Sequence, residues 1–195
     1  MMKRKYLTGE EMRSLLRTIS KSDDSCRDYC MVSMAFLHGL RVSELTGLKL
    51  TDYDPLSKMI RIERLKGGLS TNHPLLLEED IALGCWLAER ETRSGHQSPW
   101  LFLSRQGKRL SRQRFYQLLR EYGKKANLPL PIHPHMLRHA CGYNLAERGN
   151  DTRLIQDYLG HRNIRHTVLY TAANAERFNG AWMKGGGVTS VSPLI

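Results

Sequence analysis

In Ile60-Arg61-Ile62-Glu63, apolar and polar side chains alternate with the period of a strand that buries one face. Lys66-Gly67-Gly68 then supplies a turn, and Ser70 to Leu76 is predicted as a second strand running back beside the first. Trp100 to Leu103 is a candidate third strand. Elsewhere the apolar residues recur at helical spacing. The chain therefore reads as mostly α with a small antiparallel three-stranded β-sheet in its middle, an α+β arrangement.

N-terminal to the sheet, Thr8 and Glu11 have the spacing of a capping box and open a helix through about Ile19, with Met12, Leu15, Leu16 and Ile19 on its apolar side. Lys21 to Ser25 is a polar break. Tyr29 to Leu40 is nearly all apolar and predicts a central, buried helix, followed by a short one from about Ser43. C-terminal to the first two strands, Ile81, Cys85 and Ala88 return to helical spacing. Ser111 caps a helix that buries Phe115, Leu118, Leu119 and Tyr122. Pro129, Pro131 and Pro134 mark an extended loop. A helix then runs from Met136 to Arg148 and closes at Gly149; Asp151 caps a shorter one that ends at Gly160. A last helix carries Phe178 and Trp182 on one face, and glycines and small residues follow Lys184. No Pro- or Ser-rich linker divides the chain, so residues 1–184 are expected to be one domain and residues 185–195 a flexible tail.

Hydrophobic residues make up 41% of the 195, enough for a packed core. The formal net charge is +11, which points to a polyanionic partner: DNA, RNA or an anionic membrane surface. No apolar run approaches the ~20 residues of a spanning helix. The basic start, Met1 to Tyr6, is not followed by the apolar core of a secretion signal, so the cytosol is the expected compartment. Cys26, Cys30, Cys85 and Cys141 show neither a Cys-x-x-Cys pair nor zinc-ligand spacing and are expected to be buried free thiols.

Breaking a phosphodiester without a metal requires an in-line nucleophile, cations on the non-bridging oxygens, and an acid for the departing oxygen. Arginine suits the second task because its planar fork meets phosphate oxygens and keeps its charge. Arg41, in Gly39-Leu40-Arg41-Val42-Ser43-Glu44-Leu45, follows the buried helix; Glu44, three residues on, either pairs it on the surface or orients it in a site. Lys66 stands at the entrance to the hairpin turn, solvated or reaching toward DNA. In Pro134-His135-Met136-Leu137-Arg138-His139, His135 and Arg138 lie one turn apart at a helix start that already favours anions. His135 and His139 also have the spacing of zinc helices, but the glutamate of such motifs does not follow His135. Gly160-His161-Arg162 ends a capped helix, and Tyr170 lies nine residues beyond His161. Taken singly, each has an ordinary reading: a half-buried tyrosine, a polar residue at a helix end.

Together, in this order and spacing, Arg41, Lys66, His135 with Arg138, His161 and Tyr170 resemble the signature of the tyrosine recombinase (phage integrase) family. Gly-Leu-Arg-Val-Ser-Glu-Leu at Arg41, His-x-Leu-Arg-His at Arg138 and Leu-Gly-His at His161 match as well, and the resemblance extends from about Thr8 to Trp182. It implies that Tyr170 attacks the scissile phosphate to give a 3′-phosphotyrosyl link and a free 5′-hydroxyl, with no metal and no other cofactor. Arg41 and Arg138 would clamp the non-bridging oxygens, and Lys66 would protonate the leaving oxygen. His135 would assist proton transfer at the tyrosine, His161 would donate to the phosphate, and Glu44 would support. The family acts as four protomers on two double-stranded DNA sites, with the C-terminal helix, here Phe178 and Trp182, docking between protomers.

Most relatives carry a further N-terminal helical domain, for which the early start of the pattern leaves no room. That feature, together with Leu154 to Thr167, Ile132 to His139, and Leu103-Ser104-Arg105 followed by Leu110-Ser111-Arg112-Gln113, is similar to the small recombinases that invert a fimbrial promoter in enteric bacteria. The implied role is phase variation through inverted-repeat sites in the nucleoid, with salt-sensitive DNA binding and help from DNA-bending proteins. Integration or resolution of separate sites, or DNA binding without chemistry, are the alternatives. Arg105, Arg109, Arg112 and Arg114 are candidates for DNA contact, or simply a solvated face.

Overall fold

The computed structural model describes residues 4–64 and 70–172. α1 (Gly9–Ile19) begins at a formed capping box: the Glu11 N–H donates to Thr8 Oγ1 at 3.3 Å and the Thr8 N–H to Glu11 Oε2 at 2.9 Å. α2 (Ser25–Leu37) is buried almost all round and packs against α1, against α3 (Val42–Leu45), and against two later helices, α4 (Leu77–Glu91) and α6 (Pro134–Glu147). Such a helix has no broad solvent face to pattern, which is why its sequence from Tyr29 on is nearly all apolar, while Arg27 and Asp28 are buried as a pair in its first turn.

The sheet has the order β1 (Tyr53–Asp54), β2 (Met59–Ile62), β3 (Thr71–Pro74), antiparallel throughout, with Ile60 opposite His73 and Ile62 opposite Thr71. The expected strand at Trp100 to Leu103 is not part of it. That segment makes only isolated bridges, Lys49 with Trp100 and Leu103 with Arg109. The reason lies in α4, whose side chains take carbonyls that a neighbouring strand would use. The Trp86 indole donates to Leu101 O at 2.9 Å, and the Arg90 guanidinium to Trp100 O at 2.9 Å and His96 O at 2.7 Å.

α4 forms where helical spacing was predicted, but Ile81, Cys85 and Ala88 are exposed. The buried face is Glu79, Leu83, Trp86 and Arg90. Its two charged members can be buried because both are fully engaged: Arg90 by carbonyls, Glu79 by His38 Nε2 at 2.8 Å. The cysteines also depart from expectation. Cys26 on α2 and Cys85 on α4 are joined in a disulfide, their Cα atoms 5.8 Å apart and 59 residues apart in sequence. Cys30 and Cys141 are free and buried, as expected.

α5 (Arg112–Lys125) is capped by Ser111 and buries Phe115, Leu118, Leu119 and Tyr122. α6 has Pro134 at its first turn. α7 (Thr152–Leu159) is capped by Asp151 and ends at Gly160 with φ +65. α8 (Arg165–Ala172), which the periodicity did not announce, carries Tyr170. Most of the core lies among α1, α2, α4, α5, α6 and the sheet, while Cys141, Ala146, Ile155, Leu159 and Tyr170 form a second small cluster between α6, α7 and α8. Among the described residues no helix is long and apolar enough to cross a membrane. The predicted helix with Phe178 and Trp182, residues 185–195, and Lys66 lie outside the described residues.

Candidate active site

Arg41 is the residue before α3 and is held at two points by the third residue of that helix. Glu44 Oε1 accepts from Arg41 Nη1 at 2.7 Å and Oε2 from the Arg41 backbone N–H at 2.9 Å. Glu44 is 4% exposed and has a second cation, Arg64, whose Nη1 donates to Oε2 at 2.9 Å. Burial pushes the Glu44 carboxyl up, but Arg64 and then Arg41 outweigh it and hold it below its ordinary range. Arg64 also donates to the carbonyls of His38 and Tyr158, tying the end of β2 to α2 and α7. Sequence reading missed Arg64, although the alternation Ile60, Ile62, Arg64 already placed it on the inward face.

Arg138 on α6 is buried, donating to Gly39 O and, at 2.7 Å, to Leu159 O. It thus spans from the residues before Arg41 to the end of α7. Burial, with Arg41 and Arg64 nearby, lowers its pKa to about 10, so it stays charged at neutral pH. His161 follows Gly160; its Nδ1 is 2.8 Å from Thr167 Oγ1. Burial and the field of Arg138 and Arg41 push its pKa down to about 3, which keeps the ring neutral. Gly160 is needed here twice over: its φ is left-handed, and a Cβ would stand 2.9 Å from the Arg64 side chain.

Tyr170 is 2% exposed. Its ring lies in a notch over Gly142, where a Cβ would approach within 2.6 Å. Tyr143 meets it edge-on at 5.1 Å and His161 lies nearly parallel at 6.3 Å. Its hydroxyl is 3.0 Å from Nδ1 of His139. Burial raises the phenol to about 12, against the opposing pull of Arg138. The structure therefore brings Arg41, Glu44, Arg138, His161 and Tyr170 together. His135 is exposed, with the His133 ring 6.4 Å from its own; among the described residues the imidazole bonded to the tyrosine hydroxyl is His139.

The four surface arginines divide. Arg105 bonds Asp24 Oδ2 at 2.9 Å and Arg114 pairs with Glu121 at 3.3 Å. Arg109 donates to Thr46 O at 2.7 Å and lies 4.3 Å over the Trp100 ring, and Arg112 reaches Ser43 at 3.4 Å, so these two border α3 and Arg41. An open depression of about 500 Å³ beside them is lined by Val42, Arg112, Gln113, Tyr116, Gln117 and Pro134. Among the described residues no group of three His, Cys, Asp or Glu side chains is arranged to hold a metal ion.

The family model "Phage integrase family" matches residues 5–177. The chain belongs to the phage integrase family. This tyrosine recombinase membership extends to close relatives of similar length. The chain is 52% identical over 185 residues to the type 1 fimbriae regulatory protein FimB of Escherichia coli K12 (95% of this chain, 92% of that protein) and 52% identical over 183 residues to FimE of the same strain (93% and 92%). Among solved structures, XerA recombinase superposes with a TM-score of 0.78 at 30% identity, covering 92% of this chain and 64% of that one. XerH site-specific recombinase bound to palindromic difH substrate superposes at 0.77 and 26% identity, covering 92% and 52%.

Proposed function

We propose that this chain is a site-specific DNA recombinase that cuts and rejoins strands through a 3′-phosphotyrosyl intermediate at Tyr170, and that it inverts a promoter segment to control fimbrial phase variation. The observation that carries this reading is the gathering of two guanidiniums, a neutral imidazole and a tyrosine hydroxyl at one point of the fold, from segments more than 100 residues apart in sequence. The full-length likeness to FimB and FimE supports the fimbrial role, and the DNA-bound XerH structure supports duplex DNA as substrate.

In this reading the Tyr170 oxygen attacks the scissile phosphorus, and the bond to the 5′ oxygen breaks. Arg41 and Arg138 stabilise the charge gathering on the non-bridging oxygens; both keep N–H donors beyond those held by Glu44 and by the carbonyls of Gly39 and Leu159. His161 donates a hydrogen bond to the phosphate, and Lys66 supplies the proton to the departing 5′ oxygen. The family resemblance gives His135 a part in proton transfer at the tyrosine; it is exposed at the start of α6, one turn before Arg138. Glu44 holds Arg41. Residues 1–184 form the catalytic unit, acting in the cytosol at the nucleoid as four protomers on two inverted-repeat sites. Contacts between protomers run through Phe178 and Trp182, and DNA-bending proteins assist. Arg109 and Arg112, bordering Arg41, are the stronger of the four DNA-contact candidates, because Arg105 and Arg114 already have carboxylate partners.

The test is covalent trapping. Wild type and Tyr170→Phe are mixed with nicked duplexes carrying inverted repeats, then denatured and resolved on a gel. A DNA-linked band in the wild type and none in the variant is expected; DNA binding without a band in the wild type would make the chain a regulator. A reporter then separates inversion from excision: excision alone would remove the invertase assignment.

A further inference from the structure

We infer that His139 is the base that takes the Tyr170 proton as the hydroxyl attacks, an assignment that rests on Tyr170 being the nucleophile. His139 Nδ1 stands 3.0 Å from the Tyr170 oxygen, hydrogen-bond reach for direct transfer. The contact is built into the packing of two helices. The Tyr170 ring on α8 fills the notch at Gly142 on α6, and His139 lies one turn earlier on the same face, where the hydroxyl arrives. His135, one turn earlier again, is exposed.

The surroundings keep His139 ready to accept. The charged and titratable groups around it are His135 and Arg138 on its own helix, His133 just before that helix, Lys5 from the N-terminal segment, and Tyr170 from α8. Burial first, then His135 and Arg138, hold the imidazole below its ordinary pKa, so it is neutral at physiological pH. Nδ1 is the nitrogen that faces the phenol, and a neutral ring has one unprotonated nitrogen; proton transfer to His139 requires the tautomer in which that nitrogen is Nδ1.

Bonds and protons balance, with the acid role that the family resemblance gives Lys66. The Tyr170 proton passes to His139 Nδ1, a bond forms between the Tyr170 oxygen and phosphorus, the bond from phosphorus to the 5′ oxygen breaks, and that oxygen receives a proton from Lys66. On rejoining, the 5′-hydroxyl attacks, the tyrosine oxygen leaves, and His139 returns its proton.

Single-turnover cleavage is measured against pH for wild type, His139→Gln and His135→Gln, using the duplex that gives the covalent band. That duplex carries sulfur in place of the scissile 5′ oxygen, so that departure needs no acid. Loss of a general base predicts His139→Gln slower by about 10²–10⁴-fold, with no acid limb in its profile. His135→Gln should keep the acid limb of the wild type. A His139→Gln rate within about threefold of wild type, or loss of the limb in His135→Gln instead, overturns the assignment while leaving Tyr170 as nucleophile. Absence of the band in wild type overturns both readings. The tautomer is read independently in the wild-type protein by nitrogen NMR: Nδ1 of His139 unprotonated is expected, and Nδ1 carrying the proton, donating to Tyr170, would refute the proposal.

Discussion

Glu44 is a buried carboxylate shared by two arginines, and its value differs according to which partner is removed. Arg64 is buried with it, so deleting the carboxylate leaves a guanidinium without its counter-charge. Breaking such a pair from one side costs about 3–5 kcal/mol, whereas replacing both partners with apolar groups of similar size is close to neutral. Glu44→Ala is expected to lower unfolding free energy in urea by about that amount, and Glu44→Leu combined with Arg64→Met to recover most of it. A loss under about 1 kcal/mol in the single variant would mean that water reaches Arg64. Arg41, whose side chain is 29% exposed, would lose its orientation in both variants, so cleavage should stay low even where stability returns.

At the scale of elements, α7 positions His161 and is itself short, so its ends matter. The Asp151 carboxylate accepts from the Arg153 and Leu154 N–H groups at 2.8 and 2.9 Å. Removing that cap by Asp151→Ala is expected to cost about 1 kcal/mol, most of it restored by Asp151→Ser. Denaturant melts of the three proteins check this. Because α7 delivers Leu159 O to Arg138 and Gly160 to Arg64, fraying should slow cleavage more than it weakens DNA binding. The sheet is anchored in a comparable way. On β3, His73 Nδ1 faces His38 Nδ1 at 3.2 Å, and His38 Nε2 faces Glu79 at 2.8 Å, a buried series that ties β3 to the end of α2 and to α4.

For the whole molecule these buried imidazoles set a pH dependence. Burial, with His38 beside it, pushes His73 down to about 3, and burial with Arg138 does the same to His161. The folded state keeps both neutral where the unfolded chain, with histidine near 6.5, takes up protons. Stability is therefore complete above about pH 6.5 and declines as pH falls from there toward about 3, by up to about 1.4 kcal/mol per pH unit for His73. The lowered carboxyl of Glu44 adds to the loss below its ordinary value of 4.5. Melting temperatures between pH 4 and 8 should fall on the acid side, with a shallower slope in His73→Gln. An unchanged slope in that variant would assign the effect to other groups.

How much was legible beforehand follows from where each signal resides. Helix caps at Thr8, Ser111 and Asp151, the buried run of α2, and the spacing from Arg41 to Tyr170 are local or ordered along the chain. The sequence by itself determined the mostly helical class with its small sheet, the family, and the ordered set from Arg41 to Tyr170 on which the proposed chemistry rests. It did not determine which face of α4 turns inward, because Glu79 is buried against His38 of a distant segment and Arg90 against the carbonyls of the loop that follows the helix. Nor did it reveal that Cys26 meets Cys85, or that carbonyls around Trp100 are taken by side chains rather than by a strand. Only the tertiary structure decided that His139, and not His135, meets the tyrosine. Both histidines lie on one side of α6, and the choice between them is made by the missing side chain at Gly142, the gap into which the Tyr170 ring packs.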